Sequence, residues 1–600
     1  MRKALFYTVI AVTCSVAVLA IVYYRLGGKN ELTRQHILSQ IRARWPSLNI
    51  ELESATWDES RLRLNSIQVK EKVGSEWIQT IDIPRVILDV DIQDQTRVRY
   101  AEIQRPHIRA IYKNDGHWNI ETWIPQSFSG LLDQLVVRNA TVEIYDKPTT
   151  EEHDSEEESS NINKQIPFSV LNRSTFTLEK VSKDAVVIHS EFHSERIHRA
   201  EIAVNISMED KTWKVEGHID RLQCDPELID FGYRVLSEIN PRWASPWMAQ
   251  NAELATTSQK NQSQRIKGNG TVSHHDRSKL PWSVEGEAGI RFVVQSGQEA
   301  GTLNYDILTK LDKGTIQGDA LPFSIHQVSA LTRCREGNLE ILDFKGRNGT
   351  TVVTTQGNVS LLLSQLDEKP FEAVLHIQAE DLVLDERIRQ VLPSNWERSW
   401  KQFQPGGRVN VDVDLLHKSK GWELVGSVEC VDASFMFQKF PYRVEHVQGM
   451  IHRQQDKMML DLMGEGGQAS VRLQAEVRDP GQGAPFDLQI QADNVRLDDY
   501  KLLTALPGMI RKNMESFHIQ GRADVQWRVL RASRSAKVEQ SGEIHLDRCS
   551  VRSEYFPYPL DNVTGTIIAE REKWEFRNIS GLNDRGSVHA TAFVTVSPQG

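Results

Sequence analysis

Few residues of this 600-residue chain are spaced as a catalytic or metal site would require. His274 and His275 are the most metal-like pair, but adjacent side chains of a strand point to opposite faces, and no cysteine or carboxylate stands at ligand spacing. The run Gly268-Asn269-Gly270 indicates a turn, because no apolar strand precedes it as in a phosphate-binding loop. No nucleophile elbow, P-loop, HExxH or EF-hand pattern occurs. We therefore expect no enzyme activity, no metal and no cofactor.

Three aspartates could act as acids or bases only if folding brought partners to them. Asp385 and Asp498 lie 113 residues apart and each precedes a helical pattern, so helix N-caps are preferred over a carboxylate pair. Asp115, within Asn-Asp-Gly, favours a hairpin turn over a catalytic acid. An aromatic stripe at helical spacing indicates core packing, with lipid or membrane contact as the alternative, and consists of Trp396, Trp400 and Phe403.

Composition argues against nucleic acid as the main partner and against a single compact domain. The net charge is -10, and the charged residues, 25% of the chain, are intermixed in sign. A chain of 600 residues with 39% hydrophobic content favours several domains or a repeat array. The cysteines are odd in number, lack CxxC spacing and indicate neither zinc nor a disulfide framework: Cys14, Cys224, Cys334, Cys430 and Cys549.

The N-terminus reads as a membrane anchor. Residues 4–24 are uncharged and mostly apolar, follow Arg2 and Lys3, and precede Arg25. About 20 such residues match the thickness of a bilayer core. A cleaved signal peptide is the alternative, but its apolar region is shorter and ends at a small-x-small site. We expect a retained single-pass helix with a short tail in the cytoplasm and the rest of the chain exported.

Downstream of the anchor, the apolar period changes from helical to alternating. Residues 31–44 predict an amphipathic helix, and strand patterns begin at Leu48. Alternation of apolar and polar residues predicts a sheet with one apolar and one wet face. The acidic segment 149–164 and the polar segment 256–267 are typical of solvated loops.

An internal repeat of about 115 residues organises the second half of the chain. The segments PFSIHQV, PYRVEHV and PYPLDNV begin at Pro322, Pro441 and Pro557, with offsets of 119 and 116. A second repeated unit is IQAEDLVLDERIRQVLP, ending at Pro393, and IQADNVRLDDYKLLTALP, ending at Pro507. Such repeats obtain their core by stacking on neighbours. We expect each copy to fold alike.

The strands predict an elongated, curled sheet, because too few helical segments exist to cover its apolar face. The fold class expected is therefore mainly β: an N-terminal transmembrane helix, then a β-sheet groove built from repeats with short interspersed helices. The alternative is that a second sheet or the helices fill the space and give a dry β-sandwich core. The residues predicted to line the groove and contact lipid are Val409, Val411, Val413, Val471, Leu473, Val477, Phe486, Leu488 and Ile490.

The chain resembles the AsmA-like family, of the AsmA, TamB and YhdP type, in three respects. One is the order of tail, anchor, amphipathic helix and strands, and another is the Leu-x-Leu-Asp, Leu-Pro, Gly-x-Val repeat. The third is the segment IQRPHIRAIYKNDGHWNIE, whose motif residues are Pro106, Asp115, Gly116, Trp118 and Asn119. The resemblance implies a periplasmic β-groove protein, anchored in the inner membrane, that helps phospholipid move to the outer membrane.

The resemblance and the pattern together predict six segments: 1–25 tail and anchor, 26–148 helix and β segment, 149–164 acidic loop, 165–376 less regular β-groove repeats, and the β/helix repeats 377–489 and 490–600. Phospholipid acyl chains and envelope proteins are the expected partners. A scaffold for outer-membrane proteins, or a non-enzymatic surface β-repeat protein, is the alternative function. Uninterrupted apolar alternation would favour the lipid conduit, and charged residues interrupting the groove would favour the scaffold.

Overall fold

The chain is mainly β: in the residues that it describes, a computed structural model contains 27 strands belonging to one sheet, and five helices. This confirms the coarse prediction of a long sheet with few helices. The described residues are 30–44, 48–58, 60–73, 76–91, 97–111, 119, 132–145, 167–182, 185–207, 209–229, 283–297, 303–318, 321–360, 372–392, 394–418, 421–554, 558–570 and 573–595.

The helices α1 to α5 are Asn30–Arg44, Glu386–Val391, Ser394–Phe403, Tyr500–Ala505 and Gly508–Ser516. The strands β1 to β14 are Leu48–Asp58, Arg61–Val73, Glu76–Asp91, Arg97–Gln104, His107–Ile111, Gln134–Tyr145, Ser169–Lys180, Ala185–Ser194, Ile197–Ser207, Thr212–Cys224, Ser283–Ser296, Leu303–Gln317, Ile325–Arg335 and Asn338–Asn348. The strands β15 to β27 are Thr351–Ser360, Glu372–Leu384, Gly406–Lys418, Gly421–Phe437, Phe440–Arg453, Lys457–Gly466, Ala469–Arg478, Phe486–Arg496, Gln520–Arg531, Glu539–Val551, Leu560–Ala569, Lys573–Asn583 and Gly586–Thr595.

Several predictions fall on residues outside the described ones. They concern the anchor at residues 4–24, the loops at 149–164 and 256–267, the Gly268-Asn269-Gly270 turn and the pair His274 and His275. Within the described part of the chain, no helix has both the length and the apolar character needed to cross a membrane. The six segment boundaries stay predictions. The chain divides into two compact units, Met1–Gly314 with Ala330–Leu339, and Thr315–Ser329 with Glu340–Gly600.

The first unit has a closed apolar core at its N-terminal end. Alternate residues of β2 and β3 point inward, so Leu62 and Leu88 are each 0% exposed. Helix α1 lies against β1 and places Ile37, 1% exposed, in the same core. Arg34 Nη1 donates to Leu52 O, and Arg42 Nη2 donates to Ile50 O, each at 2.9 Å. These side chains cover carbonyl groups of β1, which pairs only with β2 among the described strands.

Strand β6 departs from the antiparallel order by pairing in parallel with both β4 and β5. The junction between β4 and β5 is buried Pro106, whose carbonyl accepts from Thr141 N at 2.9 Å. Asn119, 0% exposed, accepts from Ile111 N at 2.8 Å and donates to Arg109 O at 3.0 Å. The Asn119 side chain thus pairs with backbone groups of β5 that a neighbouring strand would otherwise bind. The other motif residues, Asp115, Gly116 and Trp118, lie outside the described residues.

The second unit repeats every six strands, and this period corresponds to the repeat of about 115 residues in the sequence. Helices α2 and α3 lie between β16 and β17, and α4 and α5 lie between β22 and β23, six strands later. The Pro-aromatic segments lead into or begin β13, β19 and β25, which are also six strands apart. The copies at 441–477 and 557–594 both fold as three successive antiparallel strands. The predicted likeness of these copies is confirmed.

Each Pro-aromatic strand carries a bulge that the alternation does not reveal. A residue with φ near +50° precedes a fully buried valine, and the ladder shifts register there in β19 and β25. The bulge residues are Gln327, His446 and Asn562, and the valines are Val328, Val447 and Val563. A glycine of the following strand lies against each valine, since a Cβ there would approach its Cγ2 to 3.2, 2.9 and 3.1 Å: Gly346, Gly464 and Gly581.

The helix caps correct one prediction. Asp385 is the N-cap of α2, and its carboxylate accepts from Arg387 N at 2.9 Å. In the next copy the N-cap of α4 is Asp499, which accepts from Lys501 N at 2.9 Å. Asp498, predicted as this cap, forms an ion pair with Arg496. The prediction is one residue out because either of two adjacent aspartates satisfies the sequence pattern.

Candidate functional site

Opposed residues in the second unit form rows on one side of the sheet, because directly paired residues of neighbouring strands share a face. We name this side, over β16 to β27, the apolar face. Its central row has one residue from each of the twelve strands and no charged residue: Leu382, Val409, Cys430, Gly449, Leu462, Leu473, Ile490, Trp527, Gly542, Ala569, Trp574 and Val594. The pairing of β25 with β26 joins Ala569 to Trp574.

A second row runs beside the central one over β16 to β23 and is also apolar throughout. Its members are Ala379, Val411, Val428, Ile451, Leu460, Ala475, Leu488 and Val529. All nine residues predicted from the sequence to line a groove lie on the apolar face. Five of them belong to one packed cluster: Val409, Val411, Val471, Leu473 and Ile490. That they contact lipid stays a prediction.

The apolar face is incompletely covered. Apart from Ala379, every residue of the second row is partly exposed, whereas Leu62 and Leu88 in the first unit are each 0% exposed. Burying an aliphatic side chain of this size is worth roughly 1.5–3 kcal/mol, so incomplete cover leaves unused apolar area on many strands. Contiguous exposed apolar area on a protein commonly marks a binding surface. The arrangement can therefore hold an apolar ligand.

The opposite face of the same strands is polar and ion-paired. Arg472 pairs with Asp461 at 3.0 Å, and Arg528 pairs with Asp487 at 2.7 Å. Hydrogen bonds from these guanidinium groups hold the pKa of each aspartate below its usual range. The pairs are largely exposed and add little stability, but they mark this face as the one in water. The sheet is thus amphipathic across its thickness.

Helices border the apolar face at one end of its strands. The helix pairs lie in the β16–β17 and β22–β23 connections, which are at the same end because the strands alternate in direction. Trp396 and Trp400 of α3 are partly buried, whereas Phe403 is 46% exposed and stacks on Phe437 with ring centroids 5.5 Å apart. The stripe predicted as core is therefore a partly exposed border of the face.

Two arginines stand at the other end of the apolar face. Arg453 and Arg531 are the last residues of β19 and β23. They belong to one row with apolar neighbours: Val413, Gly426, Arg453, Met458, Val477, Phe486 and Arg531. The sequence interpretation overlooked both because it followed only apolar residues. Their even spacing from Ile451 and Val529 would have placed them on this face.

Neither arginine has an acidic partner among the described residues. The Nε atoms of both are buried without a hydrogen-bond partner in that part of the chain. The guanidinium carbon of Arg531 lies 5.6 Å from the centroid of the Phe486 ring, a cation–π distance. Arg472 and Arg528 on the polar face, by contrast, each have an aspartate partner.

The described residues offer little for covalent or metal chemistry. Within them, no group of three or more His, Cys, Asp or Glu residues could hold a metal ion. Burial raises the pKa of the Cys430 and Cys549 thiols, which disfavours the nucleophilic thiolate. No protein-family model matches the chain, and no curated protein or solved structure matches it either. The resemblance to the AsmA-like family rests on the motifs quoted above.

Proposed function

We propose that this chain is a bridge-like lipid-transfer protein that offers phospholipid acyl chains a continuous apolar path. The observation that carries the proposal is the partly exposed apolar face, which continues without a charge through the central row from β16 to β27. Acyl chains lie against this face, and head groups stay in water beyond its edge. The movement is diffusion, with no covalent step and no cofactor.

The dimensions of the face suit this mechanism. Twelve strands at about 4.8 Å spacing give a path of about 53 Å along the central row. Successive positions along this row are chemically similar, since the row consists of aliphatic, aromatic, cysteine and glycine residues. An acyl chain therefore exchanges one apolar contact for another as it moves. A flat energy profile of this kind permits diffusion without an energy-consuming step at each strand.

The distribution of charge favours a conduit over a scaffold. Charged residues interrupting the face would leave no continuous apolar path. Arg453 and Arg531 instead stand at the strand ends. The residues that β19 and β23 contribute to the central row and to the second row are uncharged. The proposed setting is an anchor in the inner membrane with the bulk in the periplasm, serving outer-membrane homeostasis. That setting rests on the character of residues 4–24 and on the family resemblance.

Photocrosslinking in the full chain in its native membranes tests the proposal. A photoreactive residue at position 411 stands on the apolar face, and one at position 412 stands on the polar face of the same strand. We expect lipid adducts at 411 and none at 412, measured by mass spectrometry. If position 411 never captures lipid, the conduit proposal is wrong.

Charge insertion gives an independent test of whether the face is open. The double variant Val411→Asp, Leu473→Asp should fold, because a carboxylate on a partly exposed face reaches water, and it should lose lipid capture. The matched variant Leu62→Asp places the same charge in the closed core and should unfold the first unit, with a cost of more than about 4 kcal/mol. Circular dichroism and protease resistance report folding. Equal unfolding of both variants would indicate a dry core.

A further inference from the structure

We propose that Arg453 and Arg531 bind the anionic head group of an amphiphile whose tail lies on the apolar face. This inference rests on the proposed conduit function and adds a site for the head group, together with the requirement that this group be anionic, a phosphate or a carboxylate. A neutral amphiphile would fit the apolar rows equally well but would bring no counter-charge to either guanidinium group.

The positions of the two arginines suit an amphiphile. Each ends a strand at the edge of the apolar face, so a head group beside it reaches water while the tail points toward the central row. Four strand spacings separate them, or about 19 Å. The row between them is formed by Met458, Val477 and Phe486. Two head groups can therefore bind at the same edge without contact.

The electrostatic environment argues for an anion. Burying a cationic nitrogen without a partner is costly, and the protein supplies neither an acidic side chain nor a hydrogen bond to either Nε among the described residues. On the polar face, by contrast, Arg472 and Arg528 are both paired with aspartates. Both side chains are nevertheless partly exposed, so an anion can approach them from water, and the planar guanidinium fork matches phosphate and carboxylate oxygens.

The Phe486 ring favours an amphiphile over a free ion. It lies 5.6 Å from the guanidinium carbon of Arg531 and flanks the position that a head group would occupy. Phe486 also pairs directly with Val477, so the same ring continues into the apolar row. A ligand bound at Arg531 thus meets a cation and an apolar surface together, and a free phosphate would use only the first.

The test uses the full chain carrying a photoreactive residue at position 477, between the two arginines. It is reconstituted in phosphatidylcholine vesicles containing equal amounts of phosphatidic acid and diacylglycerol with identical acyl chains. We expect capture to favour phosphatidic acid by about tenfold, the effect of a charge-assisted hydrogen bond of ordinary strength. The variant Arg453→Gln, Arg531→Gln should lose this preference while capturing as much lipid in total.

Matched controls make each outcome decisive. Arg472→Gln, Arg528→Gln removes two arginines from the polar face and should retain the preference for phosphatidic acid. The inference is overturned if the unsubstituted chain shows no preference, or if the preference survives in Arg453→Gln, Arg531→Gln. Capture of lipid at position 411 would still support the conduit in either case. No lipid at either 411 or 477 overturns both. Millimolar inorganic phosphate should leave the preference for phosphatidic acid unchanged. Loss of that preference in the presence of phosphate would identify free phosphate as the ligand instead.

Discussion

The Tyr442 hydroxyl donates a hydrogen bond to Asp499 Oδ2 at 2.9 Å and so joins the start of β19 to the N-cap of α4. The ring lies over Gly466, where a Cβ would approach Tyr442 Cε1 to 2.7 Å. In the two flanking copies, the position of Gly466 is occupied by Asn348 and by Asn583. Their side chains donate hydrogen bonds to the backbone carbonyls of Ser324 and Pro559. Glycine at 466 thus makes room for a tyrosine that holds the helix.

We expect Tyr442→Phe to loosen α4 by about 1.5 kcal/mol, the lower end for a hydrogen bond to a charged group, because Asp499 is partly exposed. The measurement is hydrogen exchange of the Tyr500–Ala505 amides, which should become faster. Tyr500→Phe is the control, since Tyr500 is 78% exposed and its loss of a hydroxyl should change nothing. Equal exchange rates in Tyr442→Phe and the unsubstituted chain would show that the hydrogen bond does not hold the helix.

Two glycine substitutions should have opposite effects on stability. Gly464→Ala would place a Cβ 2.9 Å from Glu445 O and 2.9 Å from Val447 Cγ2, so we expect the free energy of unfolding to fall by about 1–3 kcal/mol. Gly508→Ala, at the start of α5, meets nothing within 4 Å and should raise it by about 0.4–1 kcal/mol. Urea denaturation followed by tryptophan fluorescence compares them. A stabilising Gly464→Ala would contradict the close approach of β19 and β20.

Tyr145 should titrate well above an ordinary tyrosine. Burial, and then the hydrogen bond from its hydroxyl to Glu143 Oε2 at 2.8 Å, raise the pKa of Tyr145 from 10.0 to about 12. Because the folded-state pKa is the higher one, this contribution to stability is fully present below pH 10 and is lost as pH rises through about 12. Tyrosinate absorbance, compared with Tyr145→Phe, measures the titration. Glu143→Gln should lower this pKa, and an unchanged titration in that variant would exclude the carboxylate as a cause.

The repeat and the apolar face could be predicted because each depends on a regular pattern. Period-two alternation identifies a face within one strand, and the constant spacing of Pro441 and Pro557 identifies the copies. Alternation fails at bulges. Asn494, with φ of 63°, shifts the register between Ala492 and Val495, so the apolar residues change parity within one strand. The identity of a polar residue does not predict that a β-bulge will form at its position.

The charged members of the apolar face were overlooked for a different reason. Arg453 and Arg531 stand at even spacing from apolar residues, yet an arginine at the end of a strand ordinarily reaches solvent. The pairing of Arg453 with Met458, and of Arg531 with Phe486, places them on the face that their even spacing indicates. The parallel pairing of β6 was also unforeseen, because it depends on contacts between distant segments.

From β16 to β27, every strand pairs with the one that precedes it in the chain. A polypeptide delivered N-terminus first can therefore add each new strand to an edge that already exists. The hairpin turn at Gly467 closes a loop of very few residues, so the entropic cost of that addition is small. Low sequence separation between partners also favours rapid folding. Strand-by-strand assembly is thus compatible with the connectivity, and after each addition only the newest strand presents an unpaired backbone edge at the growing end of the sheet.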